Sequence, residues 1–187
     1  MLIVNPVCVL LAAVAGCLTT CYVARQEMSR RLKLKKFEAI ESAIKQLSCK
    51  SHIYLNYISL LQRELTWENI PLIVGAFEAL TLRLKETEAH DADAMVIALY
   101  ISGDMPNNDL RGTIQARDEL IRVLAKASAL LPCKTQLSDA EMDEIKQKME
   151  LAIIAFRSER EYLERLIEKL RVELRKSGLT AELFESR

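Results

Sequence analysis

The sequence predicts an all-α protein, in which an N-terminal transmembrane helix continues into a soluble helical bundle with one long, coiled-coil-like C-terminal helix. Three observations support this fold class. Glycine and proline, which interrupt helices most often, number only five and four among 187 residues. Residues 2–24 hold no charged side chain, and apolar residues near the C-terminal end recur with sevenfold spacing. We therefore divide the chain into a transmembrane anchor at residues 1–24 and a helical bundle domain at residues 25–187.

The predicted anchor is long enough to cross a bilayer. A helix over residues 2–24 rises about 34 Å, against about 30 Å of hydrocarbon. No Lys or Arg precedes it, whereas six basic residues follow it closely: Arg25, Arg30, Arg31, Lys33, Lys35 and Lys36. Because basic residues flanking a span favour the cytoplasmic side, we expect a single-pass protein with its N-terminus outside and its C-terminal domain in the cytoplasm. The basic run also favours anionic lipid headgroups.

A competing interpretation comes from the stretch "VAGC", Val14 to Cys17, which resembles a bacterial lipobox. The resemblance implies an envelope lipoprotein that is acylated at Cys17 and carries its helical domain outside the cytoplasm. Two features oppose it. A secretory signal carries basic residues before its apolar stretch, and none occurs here. The basic run after Cys17 would also have to cross the membrane.

Between residues 25 and 132 the sequence predicts a series of helices. The anchor helix is expected to run on to about Cys49, with Phe37, Ile40, Ile44 and Leu47 on one face. A second helix is expected over residues 51–65, where Ser51 is a candidate N-cap.

The later part of this region contains further helix boundaries. Asn69 as N-cap and Pro71 in the first turn predict a helix over residues 69–88, with Phe77, Leu80 and Leu84 on its apolar face. A separate short helix is expected from Asp91 or Asp93 to Gly103. A loop at residues 103–108 then leads to a helix that opens at Asp109 and is stopped by Pro132.

The C-terminal helix, at about residues 138–177, has the clearest signals. It opens on "SDAE", Ser138 to Glu141, which is a capping-box pattern. Its apolar residues form a stripe that Arg160 interrupts, and we predict this candidate interaction stripe from its spacing: Met149, Ile153, Phe156, Leu163, Ile167, Leu170 and Leu174, preceded by Met142. Such a stripe is typical either of the spine of an intramolecular bundle or of a coiled coil with a protein partner or a second copy.

The sequence contains no catalytic signature. Five scattered glycines form no phosphate-binding loop, and two histidines with two cysteines outside the apolar segment form no local zinc site. The order of His52, His90 and Asp91 resembles that of HD-type metal phosphohydrolases. However, the residues after Asp91 lack the apolar residue and glycine usual in that family, and a helix cap explains Asp91 more simply.

These patterns predict a protein that is not an enzyme and has no cofactor or metal site. The formal net charge is zero, with 26 basic and 26 acidic residues, and the strong basic run lies beside the apolar segment. We therefore expect no nucleic-acid partner. We expect an adaptor, scaffold or regulatory accessory factor at the inner face of a membrane, which binds a protein partner or itself through the long C-terminal helix.

Overall fold

A computed structural model of the chain describes residues 6–103, 110–130 and 137–176, with side chains described from residue 15 and interrupted at residues 89–91. Every element in this part of the chain is helical, which confirms the predicted all-α class. The order is α1 (Pro6–Leu61), a short 3₁₀ helix (Trp67–Asn69), α2 (Ile70–Ser102), α3 (Leu110–Leu130) and α4 (Asp139–Lys176).

Helix α1 is longer than the sequence predicted. The expected break near Cys49 is wrong, because α1 continues to Leu61 and spans 56 residues, or about 84 Å. Ser51 does not start a new helix but lies buried inside α1. The reason is packing: Leu47, Tyr54 and Ile58 keep the helical spacing across this point and are all buried.

Helix α2 is also single where two helices were expected. It runs through Asp91 without a break, so the prediction of a cap at Asp91 or Asp93 is wrong. Ala94 and Ala98 continue the buried face that Leu84 belongs to, and this packing outweighs the capping tendency of aspartate. The predicted end is confirmed: Gly103 adopts φ 66° and donates its N–H to the Leu99 carbonyl at 3.0 Å.

The start of α2 differs from the prediction in one detail. Asn69 precedes the helix and Pro71 lies in its first turn, as expected. The Asn69 side chain makes no cap hydrogen bond to α2. Its Oδ1 instead accepts the Thr66 N–H at 2.9 Å, which orders the connection from α1.

Helix α4 begins with the predicted capping box. The Glu141 carboxylate accepts the Ser138 N–H at 2.9 Å, and the Ser138 hydroxyl accepts the Glu141 N–H at 3.4 Å. The two predicted boundary residues of α3, Asp109 and Pro132, lie outside the described residues. Gly112 is accommodated inside α3.

The helices pack as a bundle around aromatic rings. Helices α1 and α4 run antiparallel, since Lys36 pairs with Glu173 at one end and Tyr57 stacks on Phe156 farther along, with ring centroids 4.9 Å apart. Phe77 of α2 completes this contact, with its ring centroid 4.7 Å from that of Tyr57. Short connections make α1 and α2 antiparallel neighbours, and α3 pairs with α4 in the same way.

Among the described side chains, no stretch of helix is long and apolar enough to span a membrane. The predicted anchor at residues 1–24 falls largely on residues 1–14, whose side chains lie outside the description.

Candidate interaction surfaces

The stripe that the sequence singled out on α4 packs inside the chain. Five of its members are buried, and Ile153 and Leu174 pack partly buried against the same core. The buried ones are Met149, Phe156, Leu163, Ile167 and Leu170. Of the two interpretations, this packing matches the spine of an intramolecular bundle.

The stripe packs inside the chain because α4 has further apolar residues outside the sevenfold pattern. Ile145, Ala152 and Leu166 are also buried, which widens the apolar face of α4. A wide face is typical of a helix surrounded by several neighbours, whereas a narrow seam is typical of a two-stranded coiled coil. Helix α4 accordingly contacts α1, α2 and α3.

The predicted basic residues lie on a part of α1 that leaves the bundle. All six are exposed, as are all the other side chains from residue 15 to residue 36, a length of about 33 Å. Lys36 lies at the edge of the bundle, where it pairs with Glu173 at 2.8 Å and holds the pKa of that carboxyl below its usual range. Arg31 pairs within the helix with Glu27 at 3.0 Å.

Three exposed apolar residues, Met28, Leu32 and Leu34, lie among these charges. Met28 and Leu32 are each 61% exposed and stand one helical turn apart. Cys17, the candidate acylation site, is also exposed. This part of α1 therefore presents basic and apolar side chains together, without cover from the bundle.

A groove between α3 and α4 is largely apolar. Its volume is about 410 Å³, and small residues such as Gly112, Ala116 and Ala155 line it. The two helices approach closely there, since the Thr113 hydroxyl donates to the Ala155 carbonyl at 3.5 Å. Leu151 and Ile154 also line the groove and remain largely exposed.

An ion pair closes one end of this groove. The Lys148 ammonium lies 2.7 Å from the Glu119 carboxylate and joins α4 to α3. This hydrogen bond holds the pKa of Glu119 below its usual range. The groove thus combines an apolar surface with a fixed polar boundary, an arrangement suited to the apolar face of another helix.

A second depression, between α1 and α4, is polar. It has a volume of about 390 Å³ and is lined by His52, Arg160 and Glu164 among others. Arg160, which interrupts the predicted stripe, pairs with Glu164 at 2.6 Å. Its Nε is buried and has no hydrogen-bond partner among the described residues. The remaining charges in the depression occur as Arg and Glu together, so the site has no marked preference for one sign of ligand.

The centre of the bundle holds two tyrosines with perturbed acidity. Burial, followed by the charge of Glu159, raises the pKa of Tyr54. Burial likewise raises the pKa of Tyr57. The Tyr57 hydroxyl lies 2.8 Å from the Thr81 hydroxyl, which itself donates to the Phe77 carbonyl at 2.9 Å, so Tyr57 is the donor in this pair. Both phenols are therefore neutral in the core, and Tyr57 donates a hydrogen bond there.

Only one of the three residues of the metal hypothesis has a described side chain. His52 is exposed on α1, while His90 and Asp91 belong to α2 with side chains outside the description. No group of three or more His, Cys, Asp or Glu side chains suited to a metal ion occurs among the side chains that are described.

The outward side of α2 is a surface that the sequence analysis missed. Leu72, Leu82, Val96 and Tyr100 are between 60% and 88% exposed, although the opposite side of the same helix is buried in the core. The signal that could have revealed it is the apolar character of α2 on both sides.

No protein family, no curated protein and no solved structure matches this chain.

Proposed function

We propose that the chain is a single-pass membrane-anchored helical protein, whose bundle acts at the inner face of the membrane as an adaptor, scaffold or regulatory accessory factor. The main support is the continuity of α1. One unbroken helix extends from Pro6, through the uncharged residues and the basic run, into the core of the bundle. Most helices in proteins gain their stability from the packing of an apolar face, and the bundle covers none of the side chains from residue 15 to residue 36.

The distribution of charge supports the orientation. The exposed basic residues from Arg25 to Lys36 lie between the uncharged stretch and the bundle. By the positive-inside rule, the bundle is then cytoplasmic and the N-terminus lies outside.

We further propose that a protein partner binds the long C-terminal helix on its solvent side. The predicted stripe is occupied by the chain's own helices, but Leu151 and Ile154 remain exposed beside the α3–α4 groove. An amphipathic helix of the partner is the ligand that such a groove suits. The proposal includes no enzymatic step, no cofactor and no nucleic acid.

The topology is tested with reporter fusions placed after Arg187 of the full chain. One reporter fluoresces only in the cytoplasm, and the other is active only outside it. The proposal predicts signal from the first alone. A matched variant with the six basic residues changed to glutamine should lose this strict orientation. Activity of the second reporter would contradict the proposal and favour the lipoprotein acylated at Cys17.

Partner binding is tested separately by site-specific photo-crosslinking from position 154. A specific adduct that Leu151→Lys abolishes supports the groove as the docking site. The control is a crosslinker at position 125 on α3, where Ala125 is exposed and is not among the residues that line the groove. Equal adducts from both positions would contradict the proposal.

A further inference from the structure

Helix α2 is apolar on two opposite sides, of which the bundle covers only one. Ile73, Phe77 and Leu84 face the core and are almost completely buried. Leu72 and Leu82 face away from it and are about three-fifths exposed. A helix that is apolar all round is normally buried all round. We therefore expect another protein surface to cover the exposed apolar side of α2.

The outward residues follow the spacing of a helix–helix contact. Leu72, Gly75, Ala79 and Leu82 are separated by three, four and three residues and form one line along α2. Gly75 and Ala79 are both exposed. A Cβ atom added at Gly75 would meet no atom within 4 Å, so the space in front of it is open. Two large side chains therefore flank a low region where another helix can approach closely.

Two opposite charges flank this line and identify the other helix. Glu78 and Arg83 are both exposed, and neither forms an ion pair with another described residue. They stand five residues apart, too far for a pair within one helix. In two parallel helices that pack along such a line, a residue that flanks the line lies beside the flanking residue five positions later in the other helix. Glu78 of each copy then faces Arg83 of the other, twice in one dimer.

We infer that the outer side of α2, from Leu72 to Arg83, is a homodimer interface on which a second copy of the chain packs in parallel. The charge complementarity selects a second copy, because the surface contains both members of each pair. Parallel packing also places the exposed N-terminal parts of both α1 helices on the same side of the dimer. The pairing therefore fits two chains anchored in one membrane, although it does not depend on an anchor.

Farther along the same line, acidic residues limit the interface. Glu86 and Asp93 occupy the next positions toward the end of α2 and are exposed. Two copies in close parallel contact would bring each of them near its own counterpart, which is unfavourable. The helices must therefore diverge beyond Arg83, which leaves a short contact of about three turns. Such a contact is weak in dilute solution and is favoured when two copies share a membrane, because their effective concentration rises.

The inference is tested by charge exchange in the full chain, reconstituted in vesicles and labelled for energy transfer between copies. Glu78→Arg alone and Arg83→Glu alone should each weaken self-association about tenfold, since two attractive pairs become two repulsive ones. The double variant E78R/R83E should restore it to the level of the natural chain. Glu150→Arg, at an exposed position on α4, is the matched control and should change nothing.

The outcomes are distinct. Loss with the single variants and recovery with the double variant supports the parallel homodimer. Unchanged energy transfer in the single variants, or no recovery in the double variant, overturns it. The helical circular dichroism of every variant should equal that of the natural chain, because both side chains are exposed. In a further outcome, self-association is lost in the single variants and restored in the double variant while membranes do not retain the chain. That result would refute the proposed anchor but support the dimer.

Discussion

The most informative single substitution in the bundle is Phe156→Ala. Phe156 is completely buried at the point where α4 meets α1 and α2. Its ring centroid lies 4.9 Å from that of Tyr57, 5.7 Å from that of Tyr54 and 6.4 Å from that of Phe77. Truncation removes the whole Phe156 ring. The three neighbouring rings are rigid, so they cannot move easily into the cavity that it leaves.

The expected cost follows from this setting. Phe-to-Ala changes in cores cost about 3–5 kcal/mol of the free energy of unfolding, and poor collapse favours the upper part of that range. A domain of this kind is typically stable by about 5–15 kcal/mol, so the loss is a large fraction of the whole. The assay is urea unfolding of the full chain in mild detergent, followed by circular dichroism.

The matched control is Ile154→Ala. Ile154 lies two residues away on α4 and is 63% exposed, so its truncation should change the free energy of unfolding by no more than about 0.5 kcal/mol. A loss below about 1 kcal/mol for Phe156→Ala would refute the reasoning. It would mean that the stripe on α4 is not held by the chain's own helices and is available to a partner.

Three further substitutions give measurable changes in stability. Ser138→Ala removes the cap shared with Glu141 and should cost about 0.5–2 kcal/mol in the same unfolding assay; no change would contradict the capping box. Gly112→Ala should stabilise the chain by about 0.5–1 kcal/mol, since the helix gains propensity and the added Cβ meets no atom within 4 Å; destabilisation would show that α3 packs more closely there. The raised pKa of Tyr54 stabilises the fold fully below the ordinary tyrosine value of about 10, and this contribution is lost as pH rises above it. Alkaline titration of unfolding should therefore show a fall above pH 10 that is smaller in Tyr54→Phe; identical profiles would contradict the burial of this phenol.

Local signals in the sequence predicted the helix ends that local chemistry controls. The Ser138–Glu141 capping box and the helix end at Gly103 are confirmed, because each depends on the residues nearest to it. Ser51 and Asp91 were misinterpreted for the complementary reason. Both residues favour caps, but buried apolar residues on either side continue through them, and tertiary packing decides the outcome.

The surfaces were harder to predict than the helices. Apolar spacing identifies which face of α4 is covered, but the covering helix comes from a distant part of the chain and cannot be read from the spacing alone. The outer side of α2 was missed because Gly75 and Ala79 add little to an apolar count. Their significance appears only when the opposite side, with Phe77 and Leu84, is seen to be buried already.

The location of the bundle relative to the membrane is the central claim, and Cys49 offers the most direct measurement. Cys49 is exposed on α1, within the bundle and beyond the basic run. In a variant of the full chain that keeps Cys49 alone, with Cys8, Cys17, Cys21 and Cys133 changed to alanine, a membrane-impermeant maleimide is applied to intact cells and then to permeabilised cells. The account predicts that the membrane-bound chain reacts at Cys49 only after permeabilisation. Labelling of Cys49 in intact cells, or recovery of the chain without membranes, would contradict it.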